Sequence, residues 1–205
     1  MSAKRMLDVA LAGAGLILSA PLWAIIAAAI RLESPGPIFF RQDRVGERGR
    51  TFDALKFRSM IHDAERHVGP LQASENDPRV TRVGRVLRAT AMDELPQLWN
   101  IFRGDMSFVG PRALRPGELE LKRGGAAGEV VALEDVPGFL ERSAVRPGLT
   151  GLAQIYAPRD VLRYQKFRYD RLYIRRQSFG LDLRLILLSF WITARGTWEA
   201  RGRKY

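Results

Sequence analysis

The chain has 205 residues, of which 46% are hydrophobic, enough for one compact domain with a real core and too many for global disorder. It has no Cys, which excludes disulfides, thiolate zinc sites and a Cys nucleophile, and only two His, His62 and His67, which excludes a His-rich metal site. Lys and Arg total 33 against 22 Asp and Glu, a net charge of +11 that points to polyanionic partners: nucleic acid, anionic lipid or phosphorylated substrates.

The first element is apolar. Met6 to Ile30 carries one charge, Asp8, and is long enough to cross a bilayer core of about 20 residues. Its apolar run is too long for a cleaved signal peptide, and it lacks the polar stripe of a buried soluble helix. Pro21 should kink it near Ile17, because proline lacks an N–H and its ring clashes with the carbonyl four residues back. Ser19 is a nearby partner for the freed carbonyl. Lys4 stands i,i+4 from Asp8 and can pair with it. Both flanks are basic, with Lys4 and Arg5 before and Arg31, Arg41, Arg44, Arg48 and Arg50 after. Positive charge favours the cytoplasmic face, so a helix that enters and leaves by the same face stands level with a spanning one.

Pro35, Gly36 and Pro37 end this helix. The segments IFFRQDRVG and TFDALKFRSM read as two strands around ERGR, a hairpin. IHDAERHVG reads as a short helix ended by Gly69, where both histidines read as surface or satisfied groups. Residues 70 to 83 read as loop, and a second helix covers Arg82 to Leu87. GGAAG at 124 to 128 lacks a following Gly-Lys-Ser/Thr and reads as linker rather than phosphate loop. Near the C-terminus, Leu185 to Ile192 is apolar but too short to cross a bilayer. With Arg175, Arg176, Arg184, Arg195, Trp191 and Trp198 around it, it reads as an amphipathic helix in the membrane interface, with a core-packing helix as the competing reading.

Two acids stand together at Asp93 and Glu94. Thr90 to Asp93 matches a capping box, which would make Asp93 a cap at a helix start. The surroundings suggest more. Arg85 and Arg88 lie upstream, and Asp105 and Arg112 lie downstream among glycines and prolines. Such a group suits a divalent cation held with a diphosphate, since Mg²⁺ takes one or two carboxylates plus substrate phosphates. A carboxylate can also attack phosphorus and form an acyl phosphate.

These residues carry a resemblance. Arg88 to Leu98 (RATAMDELPQL) and Gly104 to Arg112 (GDMSFVGPR) resemble the bacterial sugar transferases, and within them the small monotopic phosphoglycosyl transferases. Gly36 to Met60, Arg146 to Ile155 (RPGLTGLAQI), Tyr169 to Ile174 and Leu181 to Ile186 continue it in the right order over nearly the whole chain. The resemblance implies a mixed α+β, mainly helical fold, with a re-entrant helix over residues 1–33 and a cytosolic catalytic domain over 34–205 that ends in an interfacial helix. It implies an enzyme on the bacterial inner membrane. Asp93 would attack the sugar-linked phosphate of a UDP-sugar, release UMP, and pass the phospho-sugar to a polyprenyl phosphate such as undecaprenyl phosphate. This would be the first membrane step of glycoconjugate assembly. Glu94, with Asp93, would hold Mg²⁺. Arg88 and Arg112 would bind phosphate, Arg146 would lie near the substrate, and Lys56, Arg58 and Asp105 would shape the site. In the family the re-entrant helix bends at a Ser-Pro pair; this chain has Ala20-Pro21, with Ser19 one place early.

Two other readings compete. A basic module could bind membrane or nucleic acid without catalysis, using Trp99 and Phe102 for stacking, but it leaves the apolar N-terminus and the acid pair unexplained. A soluble nucleotide hydrolase could use the N-terminus as an anchor. The transferase reading expects no nucleic acid and leaves the oligomeric state open.

Overall fold

The structure is a computed structural model that describes residues 2–64, 77–121, 130–158 and 161–195. Helices predominate. The chain runs through α1 (Ala3–Glu33), the strands β1 (Phe39–Val45) and β2 (Thr51–Phe57), α2 (Arg82–Ala89), α3 (Gln97–Arg103) and β3 (Ser107–Val109). It continues through β4 (Leu119–Leu121), β5 (Val130–Ala132), α4 (Phe139–Ser143), β6 (Gly148–Thr150), α5 (Leu152–Tyr156), α6 (Arg163–Arg176) and α7 (Phe179–Ala194). Most of the expected 61–69 helix, His67, the 124–128 linker and Trp198 lie outside the described residues.

The expected hairpin is present. β1 and β2 pair antiparallel, with Phe40 opposite Lys56 and Arg44 opposite Phe52. Residues directly opposite share a face, so Arg44 and Lys56 project to one side while Phe39, Arg41, Leu55 and Phe57 project to the other. The sequence reading did not foresee the two other small sheets, antiparallel β4–β5 and parallel β3–β6. The second needs glycine. A Cβ on Gly148 would come within 2.0 Å of the Gly110 nitrogen, and one on Gly110 within 2.4 Å of the Arg146 carbonyl. That close approach joins the GDMSFVGPR and RPGLTG segments side by side.

α1 spans 31 residues, about 46 Å at 1.5 Å per residue, and it is unbroken through Pro21. It is long and apolar enough to cross a membrane, and only 11% of its most apolar window is buried. Asp8, Ala12, Ile26 and Ile30 face the body, while Met6, Ile17, Leu18, Ile25 and Leu32 are exposed. Apolar residues therefore line both the packed face and the outer face.

Two expectations for this helix are corrected. Lys4 does not pair with Asp8. Its ammonium meets Asp182 of α7 at 2.7 Å and donates to the Val109 carbonyl, while Asp8 accepts from the Ser107 hydroxyl and the Phe108 N–H. Partners from β3 and α7 displace the local pair because they satisfy both groups out of water. Ser19 donates to the Gly15 carbonyl at 2.6 Å, not to Ile17, and accepts from the Trp23 indole at 3.0 Å. A serine hydroxyl in a helix reaches back four residues, so Ser19 meets residue 15 and the carbonyl opposite Pro21 falls two places beyond it.

The far end of α1 is held too. Glu33 accepts from the N–H groups of Arg82 and Val83 at the start of α2, and Arg58 donates to the carbonyls of Ser34 and Pro35. α7 buries Asp182, Leu185, Ile186 and Ile192, yet exposes Phe179, Leu183, Leu187, Phe190 and Trp191. It is a core-packing helix with a second, outward apolar face.

Candidate active site

The acid pair sits in a turn, not at a capped helix start. Thr90 ends α2, and its hydroxyl donates to the Val86 and Leu87 carbonyls. Ala91 then adopts a left-handed backbone (φ +54°), which reverses the chain into a 3-10 turn over Met92–Glu94. α3 follows with Pro96 at its cap and no side-chain cap bond, so the capping-box expectation fails. A non-glycine residue at positive φ is strained, and here it aims two adjacent carboxylates at the hairpin.

Lys56 reaches the pair from β2. Its ammonium lies 2.5 Å from a Glu94 oxygen and 4.0 Å from an Asp93 oxygen. Arg112, just past β3, approaches Glu94 at 3.5 Å. The acid side chains keep 13% and 12% of their exposure, which leaves a face open to a ligand. Burial and the neighbouring Glu94 charge push the Asp93 carboxyl up to about 6, although Lys56, Arg88 and Arg112 pull the other way. Burial would raise Glu94 as well, but Lys56, Arg112 and Arg44 outweigh it and hold that group well below the usual carboxylate range. The two acids thus divide: Glu94 is the fixed anion, and Asp93 is the more basic one.

The predicted site residues fall into two groups. Lys56, Arg88 and Arg112 act on the pair. Arg146 stands two residues before Gly148, which bridges Arg112, and its guanidinium contacts Glu47 at 3.6 Å. Arg58 is buried against the C-terminus of α1, bonded to Ser34 and Pro35. Asp105 accepts from Asn100 and Arg103. Asn100 in turn bonds both the Leu55 N–H and the Asp53 carbonyl, so this network ties α3 to β2 and sets the height of Lys56 against the pair.

Three contributors escaped the sequence reading. Arg44 shares the Lys56 face of the hairpin, and burial together with Arg112 and Arg115 lowers its guanidinium to about 10. Strand alternation around Lys56 would have found it. Arg142 pairs with Asp170 at 2.9 Å, both nearly inaccessible, and donates to the Arg112 carbonyl. No short-range signal marks that pair, because its members lie 28 residues apart.

Among the described residues, no cluster of three or more His, Asp or Glu could hold a metal. Two adjacent carboxylates remain, and Mg²⁺ accepts such a set when substrate phosphates and water complete its shell. Chemically, the site is a raised carboxyl beside a fixed carboxylate, with more cations than acids acting on them. Such an arrangement can hold a phosphorylated anion.

Comparison with known proteins gives the family. The bacterial sugar transferase family model matches residues 1–196, and the chain belongs to that family. It is 44% identical over 189 residues to a UDP-glucose:undecaprenyl-phosphate glucose-1-phosphate transferase of Caulobacter vibrioides, covering 90% of this chain and 67% of that one. A Klebsiella pneumoniae protein of the same name is 41% identical over 91% of this chain and 39% of its own length. A UDP-N-acetylgalactosamine-undecaprenyl-phosphate N-acetylgalactosaminephosphotransferase of Aeromonas hydrophila is 38% identical over 89% of this chain and 41% of its own. The chain thus spans about two thirds of the first relative and about two fifths of the other two.

Proposed function

We propose that this chain transfers a sugar-1-phosphate from a UDP-sugar to a polyprenyl phosphate through a covalent intermediate on Asp93. The carrying observation is the split acid pair inside a surplus of cations. An Asp93 oxygen attacks the sugar-linked phosphorus, the bond to UMP breaks, and UMP leaves. The acceptor phosphate oxygen then attacks the same phosphorus and releases Asp93. Glu94 stays ionised throughout. Lys56 and Arg112 orient it, and with Arg88 they offset charge on the diphosphate. Glu94 and Asp93 would hold Mg²⁺, which when bound neutralises charge on the diphosphate oxygens. The relatives named above act on different sugars, so the donor sugar is set outside the features they share.

The same reading places the protein on the inner membrane, facing the cytoplasm. Lys4 and Glu33, at opposite ends of α1, are both bound to one body. A helix held at both ends on one side is re-entrant or lies along the surface, with Met6, Ile17, Leu18 and Ile25 in lipid. The exposed face of α7, with Trp191 under Arg195, is interfacial.

The test is a trap. Detergent-solubilised protein receives UDP-sugar labelled in the sugar-linked phosphate, with Mg²⁺ and no acceptor. The label should appear on the tryptic peptide 89–103, leave with hydroxylamine, and transfer to added polyprenyl phosphate. Turnover without acceptor and without a labelled peptide would instead support hydrolysis.

A further inference from the structure

A second feature faces away from the acid pair. Leu16 and Trp23 of α1, Phe39 and Arg41 of β1, Leu55 of β2 and Trp99 of α3 line a groove of about 280 Å³. Its walls are apolar and partly aromatic. Trp23 packs against Phe39 and Phe57, and Trp99 is 44% exposed. Arg41 is its one charged lining residue; its backbone pairs with Leu55 in the hairpin, and among the described residues its guanidinium makes no hydrogen bond or ion pair.

We propose that this groove binds the phosphate-proximal isoprenes of the acceptor lipid, with Arg41 meeting the phosphate as it arrives. The inference rests on the transferase reading and adds where the acceptor enters. Volume is the first support: a cavity of about 150 Å³ takes one benzene, so this groove takes roughly two isoprene units. Charge is the second, since a single cation at an apolar slot matches a chain with one anionic end. Continuity is the third. Leu16 precedes Ile17 and Leu18, which are 76% and 81% exposed on the apolar outer face of α1. A chain in lipid can therefore slide past them into the groove. Leu55 lines the groove while Lys56, the next residue, faces Glu94, so one strand separates the two.

Two experiments test it. First, wild-type protein in nanodiscs is irradiated with a prenyl phosphate carrying a diazirine on its second isoprene. Adducts within residues 16–23, 39–55 or at Trp99 are expected. Labelling confined to α7 overturns the proposal, as does groove labelling by a diazirine phospholipid that prenyl phosphate cannot displace. Second, Arg41→Gln and Trp99→Ala should each raise the acceptor KM about tenfold, with the UDP-sugar KM unmoved. Unchanged acceptor KM in both variants sinks the groove but leaves the covalent chemistry standing. Absence of the trapped peptide in wild type would instead sink the transferase reading.

Discussion

The cluster at the start of α1 and the acid pair after α2 use the same residue types, and they differ in balance. In the first, Lys4 meets Asp182, and Tyr173 donates to Asp182 at 2.7 Å. Burial and the neighbouring Asp182 push the Tyr173 phenol up, so it remains a donor. Asp8 has two donors of its own. Every group is matched and the cluster needs nothing further. In the second, Lys56, Arg44, Arg88 and Arg112 act on two carboxylates, and Asp93 is held away from its ordinary value. The first cluster fixes structure, and the second carries the excess of cations on which the proposed function rests.

The largest effect expected from this contrast is catalytic. If Asp93 is the nucleophile proposed above, Asp93→Asn should lower turnover by at least about three orders of magnitude. It should not lower the melting temperature, since it removes a charge that folding disfavours. Retained activity above a few per cent, or a clear loss of stability, would move Asp93 to the structural side of the contrast.

Lys4→Ala should do the reverse. It leaves the buried Asp182 without its counter-charge and with only the Tyr173 hydroxyl as a side-chain donor, which costs about 3 kcal/mol in denaturant titration of the solubilised protein. The UDP-sugar KM of the folded enzyme should stay at its wild-type value. A catalytic defect without destabilisation would show that the cluster does more than anchor α1.

A smaller effect follows from pH. In the proposed reaction Asp93 must be ionised to attack, and its carboxyl is raised to about 6. Below that value kcat/KM for the UDP-sugar should fall about tenfold per pH unit. The sign for stability is opposite. A raised carboxyl is protonated more readily when folded, so its contribution is present below its unfolded value and lost as pH rises through about 6. Glu94 is depressed, so its contribution is present above its unfolded value and lost only in strong acid. An acid limb unchanged in position in Lys56→Gln would dissociate the profile from this pair, because losing that cation should move Asp93 further up.

Much of this was legible in the sequence. The hairpin showed in its β-rich runs around a turn, α2 was read over Arg82 to Leu87 and runs to Ala89, and the acid pair showed in motifs whose order matched a family. What was not legible came from distance in sequence. Asn100, Arg142 and Asp170 act by holding Lys56 and Arg112 in place, and each has a partner far along the chain. Thr90 misled because a hydroxyl before an acid reads as a helix start, whereas the left-handed Ala91 makes it a helix end. The Lys4–Asp8 spacing misled in the same way: a local partner was in reach, and the fold supplied better ones.

The smallest expected effect lies between the two clusters, inside α1. Ser19 is matched like the Lys4 cluster, but by residues of its own helix: it donates to Gly15 and accepts from Trp23. Ser19→Ala strands the indole N–H, yet a neutral bond between residues four apart contributes only about 1 kcal/mol. A loss of that size, well below that for Lys4→Ala, is expected in the same denaturant titration. Trp23 also lines the proposed acceptor groove, so its fluorescence should shift in the variant as the ring loses its tether. If Ser19→Ala instead matched Lys4→Ala in cost, α1 would be held chiefly by its middle. The argument that its two ends are bound to one body would then lose its weight for the topology.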